Sequence, residues 1–421
     1  MQDAHGNHLI DGFAGLYCVN VGYGRTEVAE AISRQAFRLA YYHSYAAHTT
    51  DELAILSDRL VKVAPGKMSK VFYGMSGSDA NETQAKLVWY YNNLPGKPTK
   101  KKIISRERGY HGCSVRLDDG DELLSRPHGS AAPADLHTGV PHHYWGANPG
   151  ESERDFSSRR AEELDQLIER LGPDNVGAFI GEPVLGTGGI TPPPEGYWGA
   201  IQAVLKKHDV LLIADEIITG FGRTGSMFGS QHYSIEPDLI TIAKGLTSAY
   251  FPLSAAIVGE KVYKVLEDGA DKVGAFSHGY TYSGHPIGAA AANAVLNIVE
   301  KEDLPGNARE VGAFFQAQLK EKFAQLPIVG EVRGVGLMGA IEFVTDRDRK
   351  RRFDPTLKVG ARISEAARER GLIARAMPHG DILGFAPPLV TTKAEVEEIV
   401  GIAESAVRFV MDELTQDGLN I

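Results

Sequence analysis

Two charged residues in this chain stand at the ends of apolar runs. Val210-Leu211-Leu212-Ile213-Ala214 leads straight into Asp215, and Leu239-Ile240-Thr241-Ile242-Ala243 leads, 29 positions later, into Lys244. Runs this short, apolar and rich in β-branched residues read as buried strands of a parallel sheet. Open α/β sheets bind ligands beyond the carboxyl ends of their strands, where the carboxylate and the amine would meet. An isolated Asp or Lys is ordinarily solvated surface, and each is costly to bury unless paired or neutralised. A cofactor that needs one anion and one amine would satisfy both.

A third candidate is Ser76-Gly77-Ser78, between the apolar run Lys70–Tyr73 and a helical pattern from Asp79 to Tyr91. Backbone N–H groups, hydroxyls and the helix dipole would make it an anion site suited to phosphate. It reads equally as an ordinary turn with a serine cap. Gly334-Val335-Gly336-Leu337-Met338-Gly339 fits Gly-x-Gly-x-x-Gly but opens no helix, so it reads as a glycine-rich strand. The 14 histidines, His142-His143 included, show no metal-ligand spacing. The sequon Asn81-Glu82-Thr83 has no meaning in a cytosolic chain.

The elements that must position these residues alternate. Strands are expected at Lys70–Tyr73, Lys102–Ser105 and Val176–Ile180, the last running into Gly181-Glu182-Pro183, besides the two that end in Asp215 and Lys244. Helical patterns cover Glu27–Leu39, Asp51–Val63, 159–171 and 197–208. Such alternation predicts an α/β fold with a parallel sheet. From about Leu304 the texture changes to long amphipathic helices (Ala308–Phe323, Leu357–Arg370, Ala394–Leu414) around a few strands, which reads as a second, smaller α+β domain. The 421 residues are enough for two domains. Acidic and basic residues are interspersed, with a net charge of −10, which argues against nucleic acid as a partner. No apolar stretch approaches membrane-spanning length. The opening Met1–Gly6 does not read as a signal peptide, and Cys18 and Cys113 give no disulfide framework, so a cytoplasmic protein is expected.

Asp215-Glu216-Ile217-Ile218-Thr219-Gly220-Phe221-Gly222-Arg223-Thr224-Gly225, followed by Pro237-Asp238-Leu239 and Ala243-Lys244-Gly245-Leu246, resembles the pyridoxal-phosphate attachment signature of class III aminotransferases. The resemblance runs over most of the chain and includes Gly22-Tyr23-Gly24, Ser76-Gly77-Ser78, Gly109-Tyr110-His111-Gly112, Gly181-Glu182-Pro183, Thr281–Pro286 and Arg333–Leu337. Leu16–Asn20, His278–Pro286 and Ile373-Ala374-Arg375-Ala376 look most like the ω-amine:pyruvate branch. The resemblance implies fold type I of the pyridoxal-phosphate-dependent transferases: a large domain with a mostly parallel seven-stranded sheet, plus a smaller α+β domain. Residues 1–40 would belong to the small domain, 41–303 to the large cofactor-binding domain and 304–421 to the small domain again.

It also implies roles. Lys244 would bond the aldehyde of pyridoxal 5'-phosphate, for which a neutral amine is needed. Asp215 would keep the pyridine nitrogen protonated through a charge-assisted hydrogen bond. Gly77 and Ser78 would bind the phosphate, joined by Thr281 of the second subunit of a homodimer. Tyr110 would stack on the ring, Ile217 would pack on its other face and Glu182 would support the region of Asp215. Tyr17 and Tyr45 would wall the substrate pocket, although either also reads as core. Arg375 would pair with the acceptor carboxylate and swing out for an uncharged donor, a task suited to its planar fork; its other reading is a surface arginine. The implied activity moves an amino group from an amine to pyruvate through two half-reactions. Diamine, β-alanine and 4-aminobutyrate aminotransferases are the alternatives within the family, and a tetramer is the alternative assembly.

Two departures stand out. The family's text begins before the stretch matching Asp3-Ala4-His5-Gly6, so Met1 is expected to be a truncated or misassigned start. Residues 116–135 do not resemble the family, whose texture returns at His137-Thr138-Gly139. With one choice of codons, a one-base shift of Asp118–Pro133 reads as family text, so a local frameshift is expected there. Together the two departures motivate a third reading, a catalytically impaired protein that keeps the fold.

Overall fold

The runs that end in Asp215 and Lys244 lie side by side as strands. The computed structural model describes residues 1–113 and 136–419, so the foreign stretch 116–135 lies outside the described residues. After a short N-terminal strand β1 (Ile10–Asp11) come β2 (Met68–Gly74), β3 (Lys102–Arg106), β4 (His137–Thr138), β5 (Val176–Gly181), β6 (Leu211–Asp215), β7 (Leu239–Ile242) and β8 (Ser254–Gly259). Strands β2 to β8 form a seven-stranded sheet in the order β2-β8-β7-β6-β5-β3-β4. All its pairings are parallel except those of β8, which runs antiparallel to both β7 and β2. Antiparallel twice over, β8 leaves β2 pointing the same way as β7. The carboxyl ends of β2, β3, β5, β6 and β7 therefore share one edge of the sheet.

Side chains alternate across this sheet, as a strand's period of two requires. In β6, Leu211 and Ile213 join Leu87, Val88 and Val258 on one face, while Leu212 joins Ile201 and Leu205 on the other. Burial on both faces explains the near-continuous apolar text of these strands. The helix Gly77–Asn93 follows β2 directly. Its cap is Ser76, whose Oγ accepts from the Asp79 N–H at 3.2 Å. The helix thus begins two residues before the apolar pattern suggests, and Gly77 and Ser78 occupy its first turn.

The C-terminal part is a second layer. Strands β9 (Val329–Val335), β10 (Met338–Phe343), β12 (Arg375–Ala376) and β13 (Ile382–Phe385) form an antiparallel sheet in the order β12-β13-β10-β9. The Gly334–Gly339 run is the β9–β10 hairpin, as the glycine-rich strand reading expects. Helices Leu304–Phe323, Val359–Glu369 and Lys393–Gln416 close its core through Phe315, Phe323, Ile363, Val400 and Val407. The N-terminal segment joins this part: β1 pairs in parallel with β11 (Leu372–Ile373), and Val21 and Val28 enter the same core.

Candidate active site

Five chain segments leave the shared sheet edge and carry Gly77 and Ser78, Tyr110, Glu182, Asp215 and Ile217, and Lys244; Tyr17 and Arg375 come from the N-terminal turn Ala14–Tyr17 and from β12. Asp215 ends β6, is 2% exposed and stands opposite Thr241 of β7. Its Oδ2 accepts from Asn81 Nδ2 at 2.9 Å and is paired with His111 Nδ1 at 2.8 Å; its Oδ1 accepts from the Ile217 N–H at 3.1 Å. Three groups from three elements thus fix the plane of one buried carboxylate.

Lys244 follows β7 with φ +33°, a backbone conformation that L-residues seldom adopt. Its amine makes no hydrogen bond or ion pair with the described residues, and its Nζ lies 6.0 Å from the centre of the Tyr17 ring. Burial pushes its pKa down; the charges of Asp215 and Glu182 oppose that shift, and Arg375 adds to it. An amine so placed reaches its neutral, nucleophilic form at a lower pH than a solvated lysine does.

Beside this pair, the first turn of the Gly77–Asn93 helix is tightly fitted. A Cβ on Gly77 would fall 2.5 Å from Ile217 Cδ1, and one on Gly112 would fall 2.6 Å from Ser78 Oγ. Glycine at both positions lets the backbone close around Ser78, whose Oγ accepts from the Cys113 N–H at 3.2 Å. Glu182 follows β5 and is 3% exposed; its carboxylate accepts from the N–H groups of Tyr110 (3.2 Å) and Gly186 (2.7 Å). Burial raises its pKa, against the opposing influence of His111. The Gly186 carbonyl in turn accepts from Tyr17 Oη at 3.3 Å. Arg375, on β12, lies with its guanidinium 5.7 Å from the Phe13 ring and without a hydrogen bond or ion pair among the described residues.

The structure therefore brings Lys244, Asp215, Ile217, Gly77, Ser78, Tyr110, Glu182, Tyr17 and Arg375 around one sheet edge. Among the described residues, no hydrogen bond or ring contact links Thr281 or Tyr45 to these groups. Both are exposed: Thr281 accepts through its carbonyl from Tyr41 Oη at 2.5 Å, and a Cβ on Gly279 would fall 2.6 Å from Tyr45 Oη. Sequence reasoning missed Asn81 and His111. The sequon reading hid Asn81, yet Asn81 lies three positions after Ser78, on the same face of the helix. His142 gathers with Glu331 and Glu342, but Arg333 already bridges both carboxylates at 2.8 and 2.7 Å, so the cluster holds its own cation.

The residues fit pyridoxal phosphate. A buried, fixed carboxylate suits a pyridinium nitrogen, an unpaired amine suits an aldehyde, and the glycine-lined helix start suits a phosphate. Buried polar atoms without partners, Asn81 Oδ1 beside Asp215 and Thr241 Oγ1 on the paired strand, lie around the same place.

Comparison with known proteins agrees. The model of the aminotransferase class-III family matches residues 1–407. An uncharacterized aminotransferase of Sinorhizobium fredii is 86% identical over 99% of this chain and 90% of its own length. The diaminobutyrate–2-oxoglutarate transaminase of Halomonas elongata is 58% identical over the same shares. Among solved structures, a transaminase from work on directed evolution by ancestral reconstruction is 63% identical with a TM-score of 0.96, over 98% of this chain and 91% of the other. A transaminase with L-ala is 44% identical with a TM-score of 0.94, over 98% and 97%.

Proposed function

We propose, because this chain belongs to the class-III aminotransferases, that it moves an amino group from a primary amine to pyruvate. It is a pyridoxal-phosphate-dependent enzyme of fold type I. The observation that carries the reading is the unpaired, pKa-lowered amine of Lys244 one strand away from the thrice-held carboxylate of Asp215. Bound pyridoxal phosphate supplies the aldehyde that accepts the amino group and a protonated ring that stabilises negative charge at the substrate carbon.

The chain's own residues do the rest. Asp215, kept in one plane by Asn81, His111 and Ile217, would accept the ring N–H. Gly77 and Ser78 would hold the phosphate at the helix start, with Thr281 of a second subunit adding a hydroxyl. Tyr110 and Ile217 would enclose the ring, and Glu182 would brace Tyr110 and Gly186. Lys244 would hold the aldehyde at rest and, once released, carry the proton to and from the substrate carbon as general base and acid. Arg375 would take the keto-acid carboxylate, with Tyr17 and Tyr45 walling the pocket. Pyruvate is supported by the L-ala bound in one structural relative, since alanine is what pyruvate becomes on amination.

A second reading, favoured by the Halomonas elongata relative, is a diaminobutyrate donor with 2-oxoglutarate as acceptor; the names of the gamma-aminobutyrate transaminases among the relatives add 4-aminobutyrate as a donor. Turnover of monoamines, 2,4-diaminobutyrate and 4-aminobutyrate with pyruvate and with 2-oxoglutarate separates the two. Faster turnover with 2-oxoglutarate for every donor overturns the pyruvate reading. The purified protein should also carry a visible band of lysine-linked cofactor that Lys244→Ala removes; folded protein with no band and no turnover on added cofactor is the impaired enzyme.

A further inference from the structure

The four residues Ala14, Gly15, Leu16 and Tyr17 form a single helical turn in which every φ is positive: 47°, 53°, 80° and 64°. Three of the four are not glycine. L-residues resist this left-handed conformation because Cβ crowds the following carbonyl. It persists where the surroundings over-determine it, and such places cluster at functional sites.

We propose that Asp11, assisted by Tyr23, is a positioning residue whose carboxylate clamps this left-handed turn and so sets the spacing between Lys244 and Arg375, and with it the length of keto acid the enzyme accepts. The inference rests on the roles given above to Lys244 and Arg375. The clamp is explicit. Asp11 is 8% exposed, and its Oδ1 accepts from the Phe13 N–H at 2.9 Å. Its Oδ2 accepts from the Gly15 N–H at 2.8 Å and from Tyr23 Oη at 2.5 Å. One carboxylate thus draws two backbone donors of the turn and a phenol from beyond it onto a single point.

What the turn carries gives the clamp its consequence. Phe13 precedes it and Tyr17 closes it, with ring centres 4.5 Å apart. Tyr17 lies under the Lys244 amine at 6.0 Å, and Phe13 lies under the Arg375 guanidinium at 5.7 Å. The two rings therefore form a bridge between the reactive amine and the carboxylate-binding arginine. The far end of the bridge is tied down independently. Asp11 pairs with Ile373 in the β1–β11 ladder, the Gly12 N–H donates to the Ile373 carbonyl at 2.9 Å, and two residues further along the chain Arg375 opens β12, which pairs with β13. If the turn relaxed to right-handed geometry, Tyr17 would move relative to both.

The test compares the holoenzyme with Asp11→Asn and Tyr23→Phe, using straight-chain keto acids of increasing length and one uncharged amine donor. Asn replaces an acceptor oxygen by a donor, and Phe removes one of the three bonds. For Asp11→Asn, KM for the best keto acid should rise about tenfold, the loss of one charge-assisted hydrogen bond. The preference among chain lengths should flatten, while cofactor content, the visible band and kcat/KM for the amine stay within about twofold. Tyr23→Phe should shift the same quantities in the same direction by a smaller factor, and it carries the test if Asp11→Asn does not fold. As a readout independent of turnover, binding of benzoate to the cofactor-free protein should weaken in parallel. Equal losses for amine and keto acids, an unchanged length preference, or unchanged benzoate binding overturns the proposal. Arg375→Ala run alongside separates the two levels. If it leaves keto-acid use intact, the functional reading fails; if it impairs keto-acid use while both clamp variants behave like the wild type, the clamp alone fails.

Discussion

Lys244 is an amine that folding moves into a place unsuited to its charged form. Burial lowers its pKa from the usual lysine value, so the unfolded chain holds that proton more tightly than the folded one. Stability is therefore withheld in full below the folded pKa, and it is recovered as pH rises through the window between that pKa and the ordinary 10.5. Lys244→Met, close in length and uncharged, should raise the unfolding midpoint of the cofactor-free protein at neutral pH while abolishing turnover. The gain should shrink as pH approaches 10.5, which denaturant titrations at several pH values would show; a gain that grows with pH contradicts a buried, destabilised ammonium. Arg375 has the opposite character: it is charged, held by a ring face and by no carboxylate among the described residues. Its loss should cost a substrate carboxylate its partner, about 1.5–3 kcal/mol. Arg375→Ala should then raise KM for keto acids by roughly 10- to 100-fold and leave uncharged amines far less affected, as steady-state kinetics with both substrate classes would reveal.

The helix Gly77–Asn93 shows what a single element contributes. Ser76 caps it, Gly77 and Ser78 form its first turn, and Asn81 one turn later holds Asp215, so one helix would link the proposed phosphate cradle to the buried carboxylate. Ser78→Ala removes a hydroxyl from that turn and leaves the Ser76 cap intact. The variant should keep its thermal midpoint within a degree or two and bind pyridoxal phosphate about tenfold more weakly, measured by titrating cofactor into the cofactor-free protein; unchanged affinity would detach Ser78 from phosphate binding. The strands and helices that build this edge were legible because their apolar periodicity is local, and most bounds fall within a few residues of the pattern. Glu182, Asp215 and Lys244 were legible because each directly follows such a run. Strand β8 was not, because its antiparallel insertion between β7 and β2 depends on pairings nearly 190 positions apart. Asn81 and Asp11 were obscured for a related reason: a polar residue that holds another side chain or a backbone turn has the same local text as one that faces water. The left-handed turn itself has one glycine in four positions, too weak a signal against three residues that ordinarily avoid that conformation.

At the scale of the whole molecule, one chain leaves Thr281 and Tyr45 exposed, together with a band of large apolar side chains. Phe37 is 91% exposed, and Leu39, Tyr41, Tyr42, Tyr45 and Tyr282 are exposed beside the segment that carries Thr281. On the proposed reading this cluster would be the seam of a two-fold dimer, which would deliver one chain's Thr281 and Tyr45 toward the other's Lys244. The arrangement has a consequence that chain mixing can read. Lys244→Ala should inactivate the site built on its own sheet edge, whereas Thr281→Ala should damage the site of its partner. When the two variants are unfolded together and refolded, each mixed dimer should contain one site with an intact Lys244 and an intact Thr281, and the other site should carry both lesions. The mixture should therefore turn over faster than the Thr281→Ala dimer alone per functional lysine, with its activity tracking the fraction of mixed dimers resolved by native mass spectrometry. If Thr281 served the lysine of its own chain, every intact Lys244 in the mixture would still face a damaged threonine position, and mixing would restore nothing.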